Sequence, residues 1–401
     1  MPGPLDGLRV IDLTSMISGP LATMMLGDQG ADIIKVENPA GGDHTRAGAN
    51  RRGGVSASFL NNNRNKKSVV LDLKTEAGRS ALLRLAAGAD VFVQNFRPGV
   101  ADRMGLGETV LRTVSPSIVY VSISGFGENG PYAGKPVYDP LVQAMSGLAT
   151  VQAGSDDERP RLVRTILPDK LTGIVTAQAI TAALLARTRT GEGQHVRLSM
   201  LEAVVAFLWS SDMGSQTFVG GDLPQQEAAS FTDLIYETAD KPISVAVQSD
   251  REWEALTRGL SQPDWLEDAR FRTPALRQQH INERLALTQD VLRTGSAAEW
   301  LDKLTRAGVP CAPVLTRRET LSDPQVGANG IVVELDHPAA GRIRQGRPAA
   351  RFSATPQAIR TAAPGHGEHT EQTLLAAGLS QAEIAELRRQ GAFGPEREAS
   401  S

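Results

Sequence analysis

Short apolar runs alternate with amphipathic stretches through the first two hundred residues. The apolar runs predict strands at residues 8–13, 31–36, 68–73, 90–93, 118–123 and 194–198. Apolar positions at helical spacing predict helices at 20–26 and 75–87, and a longer helix from Asp169 to a glycine-rich break near 190–193. Strands that alternate with helices are typical of a parallel sheet with crossover helices, so this part of the chain predicts an α/β fold.

The pattern changes after about residue 220. Residues 221–232 are polar without a clear period and are interpreted as a linker. A strand at 243–247 and amphipathic helices at 252–260, 282–293 and 297–307 predict a smaller second domain. Strands at 330–335 and 341–345 and a helix at 380–389 lead to a tail, 395–401, expected to fray.

Composition narrows the class of protein. A length of 401 residues favours two domains. The formal net charge of −3 argues against a nucleic-acid partner and a polybasic membrane anchor. No uninterrupted apolar run reaches the roughly 18 residues that span a bilayer, so no membrane partner is predicted. The single cysteine, Cys311, allows no internal disulfide and predicts a cytoplasmic location.

Several common site motifs are missing from the chain. It contains no GxxxxGK[ST], GxSxG or HExxH, and TSMISGP follows the first strand where a dinucleotide-binding fold has GxGxxG. Of six histidines only His366 and His369 lie three residues apart, and this pair does not predict a metal site. The sequence therefore disfavours a dinucleotide cofactor and a bound metal.

Four polar clusters remain as candidate chemistry. Three are basic: residues 35–37 with 41–46, interpreted as an anion cradle, then 61–67 (NNNRNKK), and 95–99 (NFRPG) with Arg103. The fourth, 168–173, contains Asp169. Solvated turns are the simpler interpretation of the basic clusters, and a helix N-cap is the simpler interpretation of Asp169.

Considered together, the clusters favour a ligand site. Two basic loops follow predicted strands, at the sheet edge where open α/β folds bind ligands. Such a site suits a nucleotide-tailed substrate whose phosphates contact Arg and Lys. A carboxylate near a helix N-terminus stays ionised, so Asp169 could act as a nucleophile.

A longer series of motifs carries a resemblance to a known family. In order they are PLDGLRVIDLT, SGP, GADIIKVE, GGDHTR, NKKSVVLDLK, VQNFRPG, RMGLG, SISGFGENGPY, YDPLVQAMSG, PDKLTG, TGEGQHVRLSMLEA, VPCAPV and GEHTEQTL. Over nearly its whole length the chain resembles the family III CoA-transferases, which include formyl-CoA, carnitine and bile-acid CoA-transferases. The resemblance implies an enzyme that moves CoA from an acyl-CoA thioester to a free carboxylic acid, with no permanently bound cofactor. It names neither the donor nor the acceptor.

The resemblance also implies an architecture. Residues 1–220 and 325–401 would form a Rossmann-like large domain from both chain ends, and residues 221–324 a smaller α+β middle domain. Two subunits would interlock as a homodimer, with extended linkers near Gly221 and Gln325.

The family's nucleophilic aspartate matches Asp169. In the family scheme its carboxylate attacks the thioester, giving a mixed anhydride and then an aspartyl-CoA thioester. The backbone around Ser18 would position the thioester, and Lys74, Arg97 and Arg103 would hold the CoA phosphates and adenosine. The full set of matching CoA-binding positions is Ile17, Ser18, Asn38, Leu71, Asp72, Leu73, Lys74, Asn95, Phe96, Arg97, Arg103, Lys135 and Tyr138.

Three positions depart from the formyl-CoA transferases. Ile17 stands where they have glutamine, and Asn38 where they have arginine. Gly220–Gly221 is the nearest match to their small-domain glycine run. These departures make formate and oxalate doubtful, and Ile17 suggests a larger or less polar acid.

Two alternatives stay open at this point. The related α-methylacyl-CoA racemase needs a His–Asp pair, but Tyr138 stands where its histidine would fall, and tyrosine is a poor base near neutral pH. A non-catalytic CoA-binding protein of the same fold would retain CoA without forming a covalent adduct.

Overall fold

The computed structural model describes residues 2–220 and 234–395. Its strands are β1 (Arg9–Asp12), β2 (Asp32–Glu37), β3 (Arg51–Arg52), β4 (Val55–Ser56), β5 (Lys66–Val70), β6 (Val91–Gln94), β7 (Val119–Ser124), β8 (His195–Ser199), β9 (Ile235–Tyr236), β10 (Ile243–Val245), β11 (Cys311–Pro313), β12 (Val332–His337) and β13 (Gly341–Gly346). Its α-helices are α1 (Ser18–Asp28), α2 (Ala57–Asn63), α3 (Glu76–Ala86), α4 (Val100–Arg103), α5 (Glu108–Val114), α6 (Asp139–Met145), α7 (Leu148–Val151), α8 (Leu167–Thr190), α9 (Met200–Leu208), α10 (Asp250–Gly259), α11 (Pro274–Gln279), α12 (Ile281–Leu292), α13 (Ala297–Ala307), α14 (Pro324–Ala328), α15 (Thr370–Ala376) and α16 (Gln381–Arg389). Short 3₁₀ segments lie at His44–Ala47, Pro263–Leu266 and Glu319–Ser322.

Six parallel strands form the main sheet, in the order β5–β2–β1–β6–β7–β8. From β1 the chain adds β2 and β5 on one side, and then β6, β7 and β8 on the other. The strand order therefore reverses beside β1, and loops after the carboxyl ends of parallel strands bind ligands at such a reversal. The predicted α/β fold with a parallel sheet is confirmed.

Helices cover both faces of this sheet. On one face α1 and α8 pack against Val10 and Val91. On the other, α3, α5, α15 and α16 pack against Ile11 and Phe92. A strand buried on both faces needs a nearly continuous apolar sequence. The apolar runs at β1, β6 and β7 therefore predict these strands from the sequence alone.

The chain divides into two compact units. One comprises Met1–Ala149, Arg161–Gly214 and Gly330–Ser401, and the other Thr150–Pro160 and Ser215–Asn329. In the first unit, C-terminal residues join the edge of the sheet: the His369 N–H donates to the Ser68 carbonyl at 2.9 Å, and the Asp72 N–H donates to the Ala392 carbonyl at 2.6 Å. In the second, the antiparallel sheet β11–β10–β9 and the helices α10, α12 and α13 enclose a core containing Trp253 and Trp300.

Most predicted elements are found within two residues of their expected ends. β5 is displaced: it spans 66–70 rather than 68–73, so residues 71–74 form a turn beyond the strand. The extended linker expected near Gln325 is wrong, because Asp323 caps the short helix α14 there with bonds to the N–H groups of Gln325 and Val326. The linker predicted at 221–232 and residues 396–401 of the tail lie outside the described residues.

Helix α8, 24 residues long, is the one helix in the described ranges that is long and apolar enough to cross a membrane by length and composition. Its buried positions, including Ala177, Ile180 and Leu184, belong to the apolar cluster under the sheet. A long core helix passes the same test, so the finding is weak support for a span. Helix α8 contains no uninterrupted apolar run of 18 residues, because polar and charged residues separate its apolar stretches.

Candidate active site

A cleft of about 240 Å³ lies at the carboxyl edge of the main sheet. Its walls come from segments that follow β1, β2 and β5, together with Phe96 after β6 and Met104 after α4. The predicted site residues that line it are Asn38, Leu71, Asp72, Leu73, Lys74 and Phe96. Residues distant in sequence thus meet because parallel strands end at one edge.

Asp169 lies in the first turn of α8 but does not cap that helix. The helix begins at Leu167, and the N-cap position is Ile166, which makes no side-chain cap. Asp169 Oδ1 instead accepts a hydrogen bond from Ser18 Oγ at 2.5 Å. The N-cap interpretation is therefore wrong, because α8 starts two residues before Asp169 and the carboxylate is bonded to the first residue of α1.

A second, buried carboxylate supports this turn, and the sequence reasoning missed it. Asp139, the first residue of α6, is 3% exposed. Its Oδ2 accepts from the Asp169 N–H at 3.2 Å and its Oδ1 from Gln143 Nε2 at 2.6 Å. Gln143 Oε1 accepts from the Val163 N–H at 2.9 Å, which ties α6 to the segment leading into α8. The YDP motif, in which Asp139 follows Tyr138, is the sequence signal for this carboxylate.

The surroundings of Asp169 raise its pKa above the ordinary value. Burial is the largest cause, and the charge of Asp139 acts in the same direction. Hydrogen bonds from the side chain and backbone of Ser18 oppose the shift by stabilising the ionised form. The helix N-terminus is expected to lower the pKa of Asp169, but burial and the charge of Asp139 raise it by more. A more basic carboxylate is also a stronger nucleophile once it is ionised.

Gly173 allows α1 and α8 to meet at the carboxylate. A Cβ atom at Gly173 would lie 2.8 Å from the Ser18 carbonyl oxygen and 3.0 Å from a methyl group of Leu21. No side chain fits there without moving α1. The glycine of the PDKLTG motif therefore has a packing role that brings Ser18 to Asp169.

The segment between β1 and α1 is held in an unusual conformation. Met16 has φ +72°, a left-handed value that costs a residue with a Cβ about 1–3 kcal/mol. Its N–H donates to Asp43 Oδ1 at 3.2 Å. Asn95 donates to the Ser15 carbonyl at 2.8 Å and accepts from the Ser15 N–H at 3.1 Å. These bonds fix the approach of the chain to Ser18.

The anion-cradle hypothesis for residues 35–46 is wrong for both of its cations. Lys35 is fully buried, forms an ion pair with Asp43 at 2.9 Å and donates to the Thr14 carbonyl at 2.8 Å. Arg46 forms an ion pair with Glu37 at 2.6 Å. Both charges are neutralised inside the protein, because a buried charge is stable only when paired and hydrogen bonded.

The cations of residues 61–67 are also structural. Arg64 pairs with Asp28 at 2.8 Å, Lys66 with Asp12 at 3.0 Å, and Lys67 with Asp32 at 2.6 Å. The first two pairs are buried and the third is partly exposed. This cluster joins β5 to its neighbours rather than binding a ligand.

Both the sequence and the fold of this chain match those of known proteins. The family model for CoA-transferase family III matches residues 5–370. The chain belongs to this family. It is 34% identical over 376 residues to succinyl-CoA:glutarate CoA-transferase of Mus musculus, covering 92% of this chain and 86% of that protein. It is 37% identical over 338 residues to acetyl-CoA:oxalate CoA-transferase of Acetobacter aceti, covering 83% and 86%. A solved CAIB/BAIF family protein of Brucella suis matches with a TM-score of 0.81 at 30% identity, covering 94% of this chain and all of that one.

Family membership confirms the resemblance inferred from the motifs. The chain is a CoA-transferase, an enzyme that uses acyl-CoA and carboxylate substrates. The matching relatives are themselves named CoA-transferases, so the racemase alternative is not favoured.

Three exposed cations of this CoA-transferase lie on the predicted CoA-binding segments. Lys74 is in the cleft wall, Arg97 follows Phe96 directly, and Arg103 ends α4. Among the residues that the structure describes, none of the three forms an ion pair with an acidic side chain. Unlike Lys35 and Lys66, their charges remain open to solvent.

The remaining predicted positions of this CoA-transferase lie outside the cleft wall. Ile17, half-buried, is the N-cap residue of α1. Lys135 Nζ lies 3.7 Å from the centre of the Tyr132 ring, and Tyr138 is 66% exposed. Gly220 is the last residue described before the gap, so the comparison with the family's glycine run falls partly outside the described residues.

The described ranges contain no group of three or more His, Cys, Asp or Glu side chains placed to hold a metal ion. His366 Nε2 donates to the Asn38 carbonyl at 2.9 Å, and His369 Nδ1 accepts from the Ser68 N–H at 3.4 Å. Both histidines therefore bind main-chain atoms and fasten the C-terminal segment to the sheet.

Proposed function

We propose that this CoA-transferase moves CoA from an acyl-CoA thioester to a free carboxylic acid, with Asp169 as the covalent nucleophile. The observation that carries the proposal is the partly exposed Asp169 carboxylate, which is bonded to Ser18 at the junction of two helix N-termini. Helix N-termini favour negative charge, both on a free carboxylate and on oxygens that become anionic during acyl transfer.

The proposed reaction is a series of exchanges at one carboxylate. Asp169 attacks the thioester carbonyl and expels CoA thiolate, leaving a mixed anhydride. The thiolate attacks the aspartyl carbonyl and releases the donor acid, leaving an aspartyl-CoA thioester. The acceptor carboxylate then attacks this thioester, and the thiolate takes the acceptor's acyl group from the second anhydride and restores Asp169. Each step breaks one acyl bond and forms another, so no ATP is needed.

The CoA moiety is proposed to bind along the cleft. Leu73 and Phe96, which are partly exposed, offer apolar surface for the adenosine, and Lys74 lies beside them in the cleft wall. Arg97 and Arg103 would contact phosphate oxygens, which Arg can bind with two donors at once. A volume of about 240 Å³ suits the nucleoside end rather than the whole cofactor-sized molecule, so the pantetheine arm would extend towards Asp169.

The acyl donor and the acceptor are proposed to be larger than formate. Ile17 gives the start of α1 an apolar side chain. Relatives named for succinyl-CoA, glutarate, acetyl-CoA and oxalate define a practical panel. Incubation of the enzyme with each thioester and each acid, with formate added, is expected to yield a new CoA thioester detectable by mass spectrometry. If the enzyme binds CoA but exchanges only with formate or with no pair of this panel, the proposed donor and acceptor size is wrong.

A cytoplasmic, interlocked homodimer is proposed as the working form. In the first compact unit many large apolar side chains are exposed, and a second copy would cover them; they include Tyr138, Leu141, Met145, Ile174, Leu185, Phe207 and Trp209. The free Cys311 fits a reducing compartment. Light scattering is expected to give twice the chain mass, and a monomer that retains full activity would contradict the assembly.

Ser18→Ala is expected to make the enzyme more sensitive to acid. The hydroxyl hydrogen bond lowers the pKa of Asp169, so its removal raises that pKa further. Because the nucleophile must be ionised, the acid limb of the kcat/KM profile should move to higher pH, and the loss should be greater near pH 5 than near pH 8. Ser80→Ala, on an exposed position of α3, is the matched control. An unshifted profile would show that Ser18 does not tune the nucleophile.

A further inference from the structure

A chain of hydrogen bonds crosses β6, β7 and β8. The Phe96 main-chain N–H donates to Gln94 Oε1 at 2.8 Å, and Gln94 Nε2 donates to Ser122 Oγ at 3.0 Å. Ser122 Oγ lies 2.8 Å from His195 Nε2. His195 Nδ1 lies 2.9 Å from Glu108 Oε2. Four side chains thus connect a surface carboxylate to the segment that begins the predicted CoA-binding turn.

The two ends of this chain fix the donor and acceptor roles within it. The Phe96 N–H can only donate, which orients the Gln94 amide. The ionised Glu108 can only accept, so Nδ1 of His195 carries the proton and Nε2 accepts from the Ser122 hydroxyl. Every bond then points from Phe96 to Glu108, an arrangement in which each bond polarises the next.

Burial makes the bonds of Gln94 and Ser122 expensive to lose. Gln94 is 7% and Ser122 is 8% exposed, so an unmade bond would leave a buried polar group without compensation from water. His195 packs edge-on against the Tyr120 ring with 4.9 Å between ring centres, which fixes the plane of the imidazole. The chain is therefore a rigid support and not a set of interchangeable surface contacts.

The charged groups around His195 keep the imidazole in the form that this chain needs. Glu108, which also pairs with Arg112, faces it from α5, Arg197 from β8, and Glu128 from the loop after β7. Burial is the main cause that lowers the pKa of His195, and Arg197 adds to it, while both glutamates oppose the shift. The net direction favours neutral imidazole at neutral pH, with Nε2 free to accept.

We infer that His195 is a positioning residue for CoA binding, which acts through Ser122 and Gln94 on the main chain of Phe96. The inference rests on the proposed CoA-binding role of residues 95–97. If the acceptor at His195 is removed, the Ser122 hydroxyl is left to bond with Gln94 in its place, and the Gln94 amide can turn away from Phe96. The turn that carries Phe96 and Arg97 then has no fixed conformation before CoA binds. Ordering the turn on binding costs conformational entropy, and this cost weakens the affinity for CoA.

The same residue types serve as nucleophile, base and acid in hydrolases, but that role does not suit this cluster. Ser122 lies on β7, next to the edge strand β8, is almost fully buried and already accepts from Gln94. A substrate carbonyl could not reach its oxygen without displacing the residues that bury it. The geometry of Ser122, His195 and Glu108 therefore supports a role in fixing the main chain at Phe96. It does not support a second site of acyl transfer.

The test compares CoA affinity and backbone protection in four proteins. CoA is titrated calorimetrically into the wild type and into the variants His195→Ala, His195→Gln and His280→Ala, and amide hydrogen exchange is followed at Phe96. His195→Ala is expected to raise the Kd for CoA roughly three- to tenfold and to speed exchange at Phe96, the scale of one lost hydrogen bond. His195→Gln should recover most of both, because its amide oxygen can accept from Ser122.

His280→Ala is the matched control. His280 Nδ1 lies 3.2 Å from Glu283 Oε1, a comparable His–Glu contact, but both residues belong to the second compact unit and neither is part of the hydrogen-bond chain. Because the pKa of His195 lies below the ordinary 6.5, lowering the pH well below 6.5 should weaken CoA binding more in the wild type than in His195→Gln, since only histidine gains a proton. A folded His195→Ala protein with an unchanged Kd for CoA and unchanged hydrogen exchange at Phe96 overturns the inference. If His195→Ala does not fold, Ser122→Ala is tested in its place, with the same two measurements. A wild type that shows no CoA binding at all would contradict the proposed function instead, and the Phe96 exchange data would still decide whether the hydrogen-bond chain holds the turn.

Discussion

Replacing Asp169 with alanine is expected to lower the rate of CoA exchange by a factor on the order of a thousand or more, while CoA binding stays nearly unchanged. The reason is chemical. In the proposed scheme every intermediate is an anhydride or a thioester of this one carboxylate, and alanine has no carboxylate to form either. The proposed contacts to the CoA phosphates come from other segments, so affinity for CoA should survive.

The decisive measurement is the intact mass of the enzyme after rapid quench with a competent thioester. The wild type should gain the mass of bound CoA less water, and Asp169→Ala should gain nothing. Asp290→Ala, an exposed acid on α12, controls for the loss of a negative charge and should behave as the wild type. Exchange at a normal rate in the Asp169→Ala protein would refute covalent catalysis at this residue.

The position of the nucleophile could be predicted from its motif, but its environment could not. Ser18 and Asp139 lie 151 and 30 residues from Asp169 in sequence. They reach it because α1 and α8 pack together on one face of the sheet and α6 packs beside α8. The sequence pattern predicts that such helices exist, but the contacts between them depend on close packing, such as that at Gly173.

The basic clusters show a different limit. A lysine in a short motif looks the same whether it faces a ligand or an internal carboxylate. Burial decides, and burial follows from the sheet: Lys35 lies within a strand covered on both faces, where an unpaired charge is not tolerated. A lysine between apolar residues of a predicted parallel strand, such as Lys35 in DIIKVE, therefore predicts a buried ion pair. Arg97, which follows its strand and is exposed, is free to serve a ligand.

The C-terminal part of the large unit shows what local patterns omit. The strands at 330–335 and 341–345 were predicted, and they pair as β12 and β13. That α15 would lie beside β5 at the sheet edge was not derivable, because the bonds from His369 to Ser68 join residues 301 apart. Local periodicity indicates an element, whereas its partner is set by the whole fold.

Asp12→Ala is expected to destabilise the protein by about 3–5 kcal/mol, the range for breaking a buried ion pair by removing one member. Asp12 is completely buried beneath the candidate site, where it accepts from Thr14 and Thr23 and pairs with Lys66. Its loss leaves the Lys66 ammonium among neutral acceptors, without the opposite charge that offsets its desolvation. Thermal unfolding of the purified enzyme measures the change. Asp32→Ala is the control, since its pairs with Arg9 and Lys67 are partly exposed and should contribute about 0–1 kcal/mol.

The pH dependence separates this mechanism from a simple packing defect. Burial lowers the pKa of Lys66 to about 8 despite Asp12, whereas its ordinary value is 10.5. Between these two values the unfolded chain binds more protons than the folded one, so the Lys66 contribution makes stability rise with pH in that interval. Without Asp12 the pKa of Lys66 falls further, because the charge that raised it is gone. The deficit of Asp12→Ala in Tm should therefore be larger near pH 6 than near pH 9, because above about pH 8 the lysine in the folded wild type has also lost its proton. A deficit that stays constant over this range would point to lost packing or lost hydrogen bonds at Thr14 and Thr23, and not to an unpaired ammonium.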